Sequence, residues 1–106
     1  MKISIGNSKL NRQLEDEKSL QKAFGNLAEI IYMRLQYLTA AENLADVSHL
    51  PPINRHLLKG NYKGCFAISV DKKYRIIFKP RGVPEETVTN LANIKEICII
   101  AIENYH

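Results

Sequence analysis

A chain of 106 residues has room for one hydrophobic core, and the sequence reads as one domain over residues 1–106. Hydrophobic residues make up 45% and charged residues 25%, an ordinary globular composition that argues against a disordered or low-complexity chain. The formal charge of +4 is unevenly placed: residues 55–81 carry eight basic residues against Asp71 alone, hence +7, and the rest carries seven basic and ten acidic residues, hence −3. Such a concentration suits a polyanionic partner such as nucleic acid, and equally a solvated strand face. No apolar run approaches the roughly 20 residues needed to cross a bilayer. The start "MKISIGNSKLNRQ" turns polar too early for a secretory signal, so the expected compartment is the cytoplasm.

Along the chain, "KISI" over 2–5 alternates polar and apolar residues and reads as a first strand. A helical stretch follows, broken near "EDEK". Asp16 is placed to cap a helix over 17–24, with Gly25 suited to its C-terminal end. Asn26 with Glu29 three residues on resembles a capping box, and Leu27, Ile30, Ile31, Leu35 and Leu38 then form one apolar stripe. Pro51 and Pro52 close the helical half. From Ile53 the pattern turns to strands: "INRHLLK", a turn "GNYKG", then "CFAISV" and "YRIIFK" joined by a hairpin at "DKK". On the last of these, Tyr74, Ile76 and Phe78 share one face, and Arg75, Ile77 and Lys79 the other. Residues 80–93 read as an exposed loop. "ICIIAI" is apolar throughout, as expected of a central strand covered on both sides. The order β-α-α-β-β-β-β predicts an α+β domain, with N-terminal helices on one face of a curved, mostly antiparallel sheet and the other face partly open.

No phosphate-binding GxxxxGK[ST], dinucleotide-binding GxGxxG or metal-binding HExxH motif occurs. Cys65 and Cys98 sit in apolar runs without CxxC or zinc spacing and read as buried thiols, with a bridge between them left open. His49, in the helix-to-proline connection, reads as a surface or packing residue. What remains is His56, His106, several tyrosines and the basic segment. These side chains suit cleavage of RNA, which carries its own nucleophile in the 2′-hydroxyl. The reaction needs a general base, a general acid and positive charge around the phosphorane, and requires no metal. Imidazoles titrate near neutrality, Arg and Lys hold phosphate, and Tyr stacks on bases. The α-carboxylate beside the ring of His106 favours its protonated form, which suits it to the acid and leaves His56 as the base.

The segments "AENLADVSHLPP", "HLLKGNYKG", "YRIIF" and "ENYH" together resemble the RelE/ParE superfamily of type II toxins, in its HigB-like branch. They occur in the order of that family's helix end, H-x-L-K-G turn, Y-R-[IL]-x-F strand and D-Y-H ending. The resemblance implies a RelE-like fold and a ribosome-dependent mRNA endonuclease without cofactor. Implied partners are a cognate helix-turn-helix antitoxin, the ribosome and mRNA, with operator DNA reached only through the antitoxin complex and no membrane. By motif, the catalytic residues are His56, Arg75, Tyr105 and His106. The substrate-binding residues are Lys59, Lys63, Lys79 and Asn104. Asn104 departs from the family's Asp: it orients a ring by hydrogen bonding but takes no proton, so that either catalysis is slower or Glu103 substitutes from the neighbouring position. The alternative is a non-catalytic binding module: a ParE-like gyrase poison, or a decayed toxin acting only in a repressor complex.

Overall fold

The computed structural model describes residues 1–84 and 90–105. His106 and the middle of the 80–93 loop therefore lie outside the described residues. The elements are β1 (Lys2–Ile5), α1 (Ser8–Leu14), α2 (Glu17–Phe24), α3 (Ala28–Ala40), β2 (His56–Leu57), β3 (Phe66–Ser69), β4 (Tyr74–Pro80) and β5 (Glu96–Asn104). The five strands form one sheet in the order β1-β5-β4-β3-β2. All neighbouring pairs are antiparallel except β1 with β5. This is the α+β arrangement the sequence predicts, with three helices rather than two before the main strands.

The helices begin and end largely where local chemistry dictates. Asn7 Oδ1 accepts the Leu10 amide at 2.7 Å, and its Nδ2 donates to the Ile100 carbonyl at 3.2 Å, tying α1 to β5. Asp16 caps α2 by accepting the Ser19 amide, which holds its carboxyl below the ordinary value. Gly25 ends α2 at φ 54°, a backbone that side chains resist. The expected capping box at Asn26 does not form. Residues Gly25–Leu27 tighten into a 3₁₀ turn that leads directly into α3, whose N-cap is Leu27 with no side-chain bond.

The apolar stripe buries Ile31 and Leu38, with Ile30, Leu35 and Leu27 packed around them. They meet Ile68, Ile76, Phe78, Ile97 and Ile99 from the helix-facing side of the sheet. Phe66 and Phe78 stack across β3 and β4 with ring centroids 6.1 Å apart. The opposite face is only partly open. A smaller apolar group of Leu58, Cys65, Ala67 and Ile77 lies there, with Tyr62, Ile100 and Ala101 against it. Cys65 and Cys98 are both buried and are not joined in a disulfide.

Two departures from regular alternation shape that second face. The expected strand over 53–59 shrinks to His56–Leu57, because Asn54 takes φ 56° and leaves extended geometry. In β5, Ile77 pairs with Ala101 but Phe78 pairs with Ile99, so Ile100 is an extra, bulged residue. Ile97 and Ile99 face the helices, Ile100 and Ala101 both face away, and Ile102 faces the helices again. The phase of the strand's last residues is thereby reversed.

The β3–β4 hairpin is held by Asp71, whose Oδ1 accepts the amides of Lys73 at 2.8 Å and Tyr74 at 2.7 Å. These bonds, the one to Tyr74 foremost, lower the Asp71 pKa. The resulting stabilisation is present above the unfolded value of 3.8 and is lost as pH falls through the lower folded value. Urea unfolding should show Asp71→Asn converging on the wild type in that acid window and falling below it at neutral pH. In the main core, Phe78→Ala should cost about 3–5 kcal/mol by the same measurement.

Candidate active site

The sheet register lays out the second face rung by rung. Arg75 on β4 pairs with Ser69 on β3 and with Glu103 on β5. The ladder beyond β3 is held by the Ser69 amide donating to the Ile53 carbonyl, and Asn54 Nδ2 reaches Ser69 Oγ at 3.2 Å. One polar rung therefore runs Asn54–Ser69–Arg75–Glu103. The next rung is His56–Ala67–Ile77–Ala101, small and apolar except at its edge. By strand spacing, His56 lies about 10 Å from Arg75 across the sheet and about 7 Å along it.

Arg75 is the centre of the polar rung. Its guanidinium carbon lies 5.2 Å from the Tyr105 ring centroid and 5.9 Å from that of Tyr62. Both contacts are within cation–π range. Nη2 stands 3.8 Å from Glu103 Oε1, an ion-pair separation too long for a hydrogen bond. Arg75 Nε is buried and meets no acceptor among the described residues. The guanidinium thus sits beside two tyrosine rings and one carboxylate, with its Nε enclosed.

Glu103 also accepts from the Tyr62 hydroxyl at 3.1 Å. Burial first, and then this bond, raise the Tyr62 pKa above its ordinary value. Tyr62 reaches the rung from the 3₁₀ turn Gly60–Tyr62, entered at Gly60 with φ 69° and left near Gly64 with φ 86°. Tyr105 continues the ladder past β5 through its amide to the Lys73 carbonyl, and its hydroxyl shares a 2.8 Å bond with Ser69 Oγ. Ser69 is 8% exposed, and its carbonyl accepts Arg34 Nε from α3 at 2.8 Å.

His56 is exposed on the edge strand, with Nδ1 at 2.7 Å from the Asn54 carbonyl. A carbonyl oxygen only accepts, so Nδ1 carries the proton and Nε2 keeps its lone pair in the neutral ring.

Of the residues expected from sequence, Arg75 and Tyr105 are in contact, and His56 shares their face. Lys59, Lys63 and Lys79 are exposed on its turn and strand margins. Asn104 pairs with Tyr74, which packs with the helix-side core, so the bulge puts Glu103 and not Asn104 beside Arg75. His106 lies outside the described residues. Arg55 is drawn away from the basic segment, since its Nη1 donates to the Leu44 and Val47 carbonyls. Tyr62, Ser69 and Asn54 were not singled out from the sequence, and only the turn glycines around Tyr62 hinted at a folded-over segment. Among the described residues no cluster of three His, Cys, Asp or Glu could hold a metal ion. A cavity of about 620 Å³ lies elsewhere, along the helices. Glu15, Asp16, Glu17 and Glu29 line it, and that charge repels a polyanion.

The model of RelE-like toxins of the HigB type II toxin–antitoxin system matches residues 4–92. This chain belongs to the HigB-like toxins. Toxin HigB-1 of Vibrio cholerae serotype O1 is 32% identical over 80 residues, spanning 74% of this chain and 83% of that protein. A YoeB/ParE toxin from Agrobacterium tumefaciens shares the fold over 100% of both chains, with a TM-score of 0.60 at 14% identity. Membership of a type II system implies a cognate antitoxin as partner. The family match ends before β5, so Glu103 and Tyr105 enter the site from outside the matched stretch. No helix among the described residues is long and apolar enough to cross a membrane.

The Tyr62–Glu103 bond has a pH signature. Because the folded pKa is raised, the folded state holds the phenolic proton beyond the unfolded value of 10.0. Its contribution to stability is full below that value and is lost as pH rises through the folded one. Glu103→Gln should bring the Tyr62 titration back toward the ordinary value, read by NMR of ring-labelled tyrosine. An unchanged Tyr62 titration would mean that Glu103 does not govern it.

Proposed function

We propose that this toxin is a ribosome-dependent mRNA endonuclease, working as one domain over residues 1–106 in the cytoplasm. The observation that carries the reading is the Arg75 guanidinium, flanked by two tyrosine rings and Glu103, on the face that also presents Nε2 of His56. Such a planar fork suits a phosphate, whose oxygens accept two parallel N–H bonds.

In the reaction, His56 Nε2 takes the proton of the 2′-hydroxyl. That oxygen bonds to phosphorus, and the bond from phosphorus to the 5′-oxygen breaks. A proton returns to the leaving oxygen from His106, assigned by its place in the family's terminal motif. The products are a 2′,3′-cyclic phosphate and a 5′-hydroxyl. Arg75 stabilises the charge gathering on the phosphorane, and Tyr105 fixes the guanidinium and offers a ring to an unpaired base. Glu103 takes the place assigned to the family's Asp, as a carboxylate that orients Arg75 and Tyr62. Lys59, Lys63 and Lys79 hold the backbone of message and ribosomal RNA, with Asn104 as a further contact to the substrate. No metal or cofactor takes part in these steps. The antitoxin is of the helix-turn-helix kind, and operator DNA is reached only through its complex with the toxin.

On programmed ribosomes, His56→Ala should slow message cleavage about 10²–10⁴-fold. Arg75→Ala should slow it about 10²–10³-fold. Product ends mapped after induction in growing cells should carry the cyclic phosphate within translated frames, and co-expressed antitoxin should restore growth. Intact messages with broken chromosomes would instead identify a gyrase poison. No arrest at all would identify a partner-dependent repressor.

A further inference from the structure

The edge strand and the polar rung meet at Asn54, to which no motif assigns a role. Among the described residues it is the one non-glycine with a positive φ, at 56°. Asn tolerates this backbone better than most side chains, yet it remains an uncommon conformation that surrounding bonds must hold. Here the Asn54 amide donates to the Leu50 carbonyl at 2.9 Å. The turn aims the Asn54 carbonyl at His56 Nδ1, 2.7 Å away. Its side chain goes the other way, with Nδ2 donating to Ser69 Oγ at 3.2 Å and standing 3.4 Å from the Pro52 carbonyl. Ser69 Oγ is bonded in turn to the Tyr105 hydroxyl.

We propose that Asn54 is a positioning residue that orients His56 through its carbonyl and Tyr105 through Ser69, setting the base and the guanidinium's ring partner from one point. An amide NH₂ donates only, so Ser69 Oγ accepts from it, and either hydroxyl can donate in the bond between Ser69 and Tyr105. A carbonyl fixed on Nδ1 selects the tautomer whose Nε2 is basic. The two consequences are separable. A glycine at this position keeps the positive φ and the carbonyl and drops the amide; an alanine keeps neither the backbone preference nor the amide. The catalytic half of the proposal rests on the endonuclease reading above, and the tautomer does not.

Long-range ¹H–¹⁵N NMR of the full chain with labelled histidine tests it, the His56 signal being assigned by its loss in His56→Ala. Neutral His56 should be Nδ1-protonated in the wild type and in Asn54→Gly, and should move toward the Nε2-protonated form in Asn54→Ala. On programmed ribosomes, kcat of Asn54→Ala should fall about 10²-fold with KM unchanged, as expected for a displaced base. Asn54→Gly and Ser69→Ala should fall less. An Nδ1-protonated His56 in Asn54→Ala, or wild-type kcat despite a changed tautomer, would overturn the proposal. A tautomer that switches in Asn54→Ala, alongside a wild type that cleaves no message, would overturn the endonuclease reading and leave the orientation of His56 standing.

Discussion

One extra residue in β5 governs the site. Without the bulge at Ile100, strict alternation from Ile97 and Ile99 would aim Ala101, Glu103 and Tyr105 at the helices, and would turn Ile102 and Asn104 toward Arg75. With it, Glu103 and Tyr105 arrive beside Arg75, and Ile102 returns to the core. A bulge re-aims side chains at the cost of one unpaired residue in the ladder. Here the partner strand β4 is buried through Ile76, Ile77 and Phe78, so its register has little freedom to slip and undo the shift. The Asn7 amide bonded to the Ile100 carbonyl steadies the bulge from the start of α1.

Charge follows the same division. The sheet's open face gathers Arg75, His56 and the lysines of the turn and margins, while the groove on the helices is lined by carboxylates. A polyanion and a cationic partner segment would therefore be sorted to different sides of a chain whose formal charge is only +4. The net number understates this, because the basic segment also loses Arg55 to backbone carbonyls inside the fold.

Much of this was legible in the sequence. The alternation of "YRIIFK" placed Arg75 opposite the core side, and the apolar stripe of α3 identified what covers the sheet. The resemblance to HigB-like toxins agrees with the family match. The bulge was not legible, because in the uniformly apolar run "ICIIAI" an added residue leaves no break in periodicity. Nor was the loss of the Asn26 cap, where Gly25 passes the chain straight into a 3₁₀ turn and its carbonyl accepts the Ala28 amide. The shortening of β2 came from the backbone of Asn54, a residue whose type permits both strand and left-handed geometry. Tyr62 was hidden for a related reason: a turn's residues are read for their φ angles, and nothing local says which one folds back over the sheet.

Every role assigned to the site depends on where the scissile phosphate sits. A structure of the toxin on a programmed ribosome, holding a message with a 2′-deoxy nucleotide at the cut site, would locate it without cleavage. Phosphate oxygens should lie within about 3 Å of the Arg75 guanidinium, with His56 Nε2 turned toward the 2′ position. A phosphate held over the helices or the acidic groove, away from Arg75, would contradict this placement.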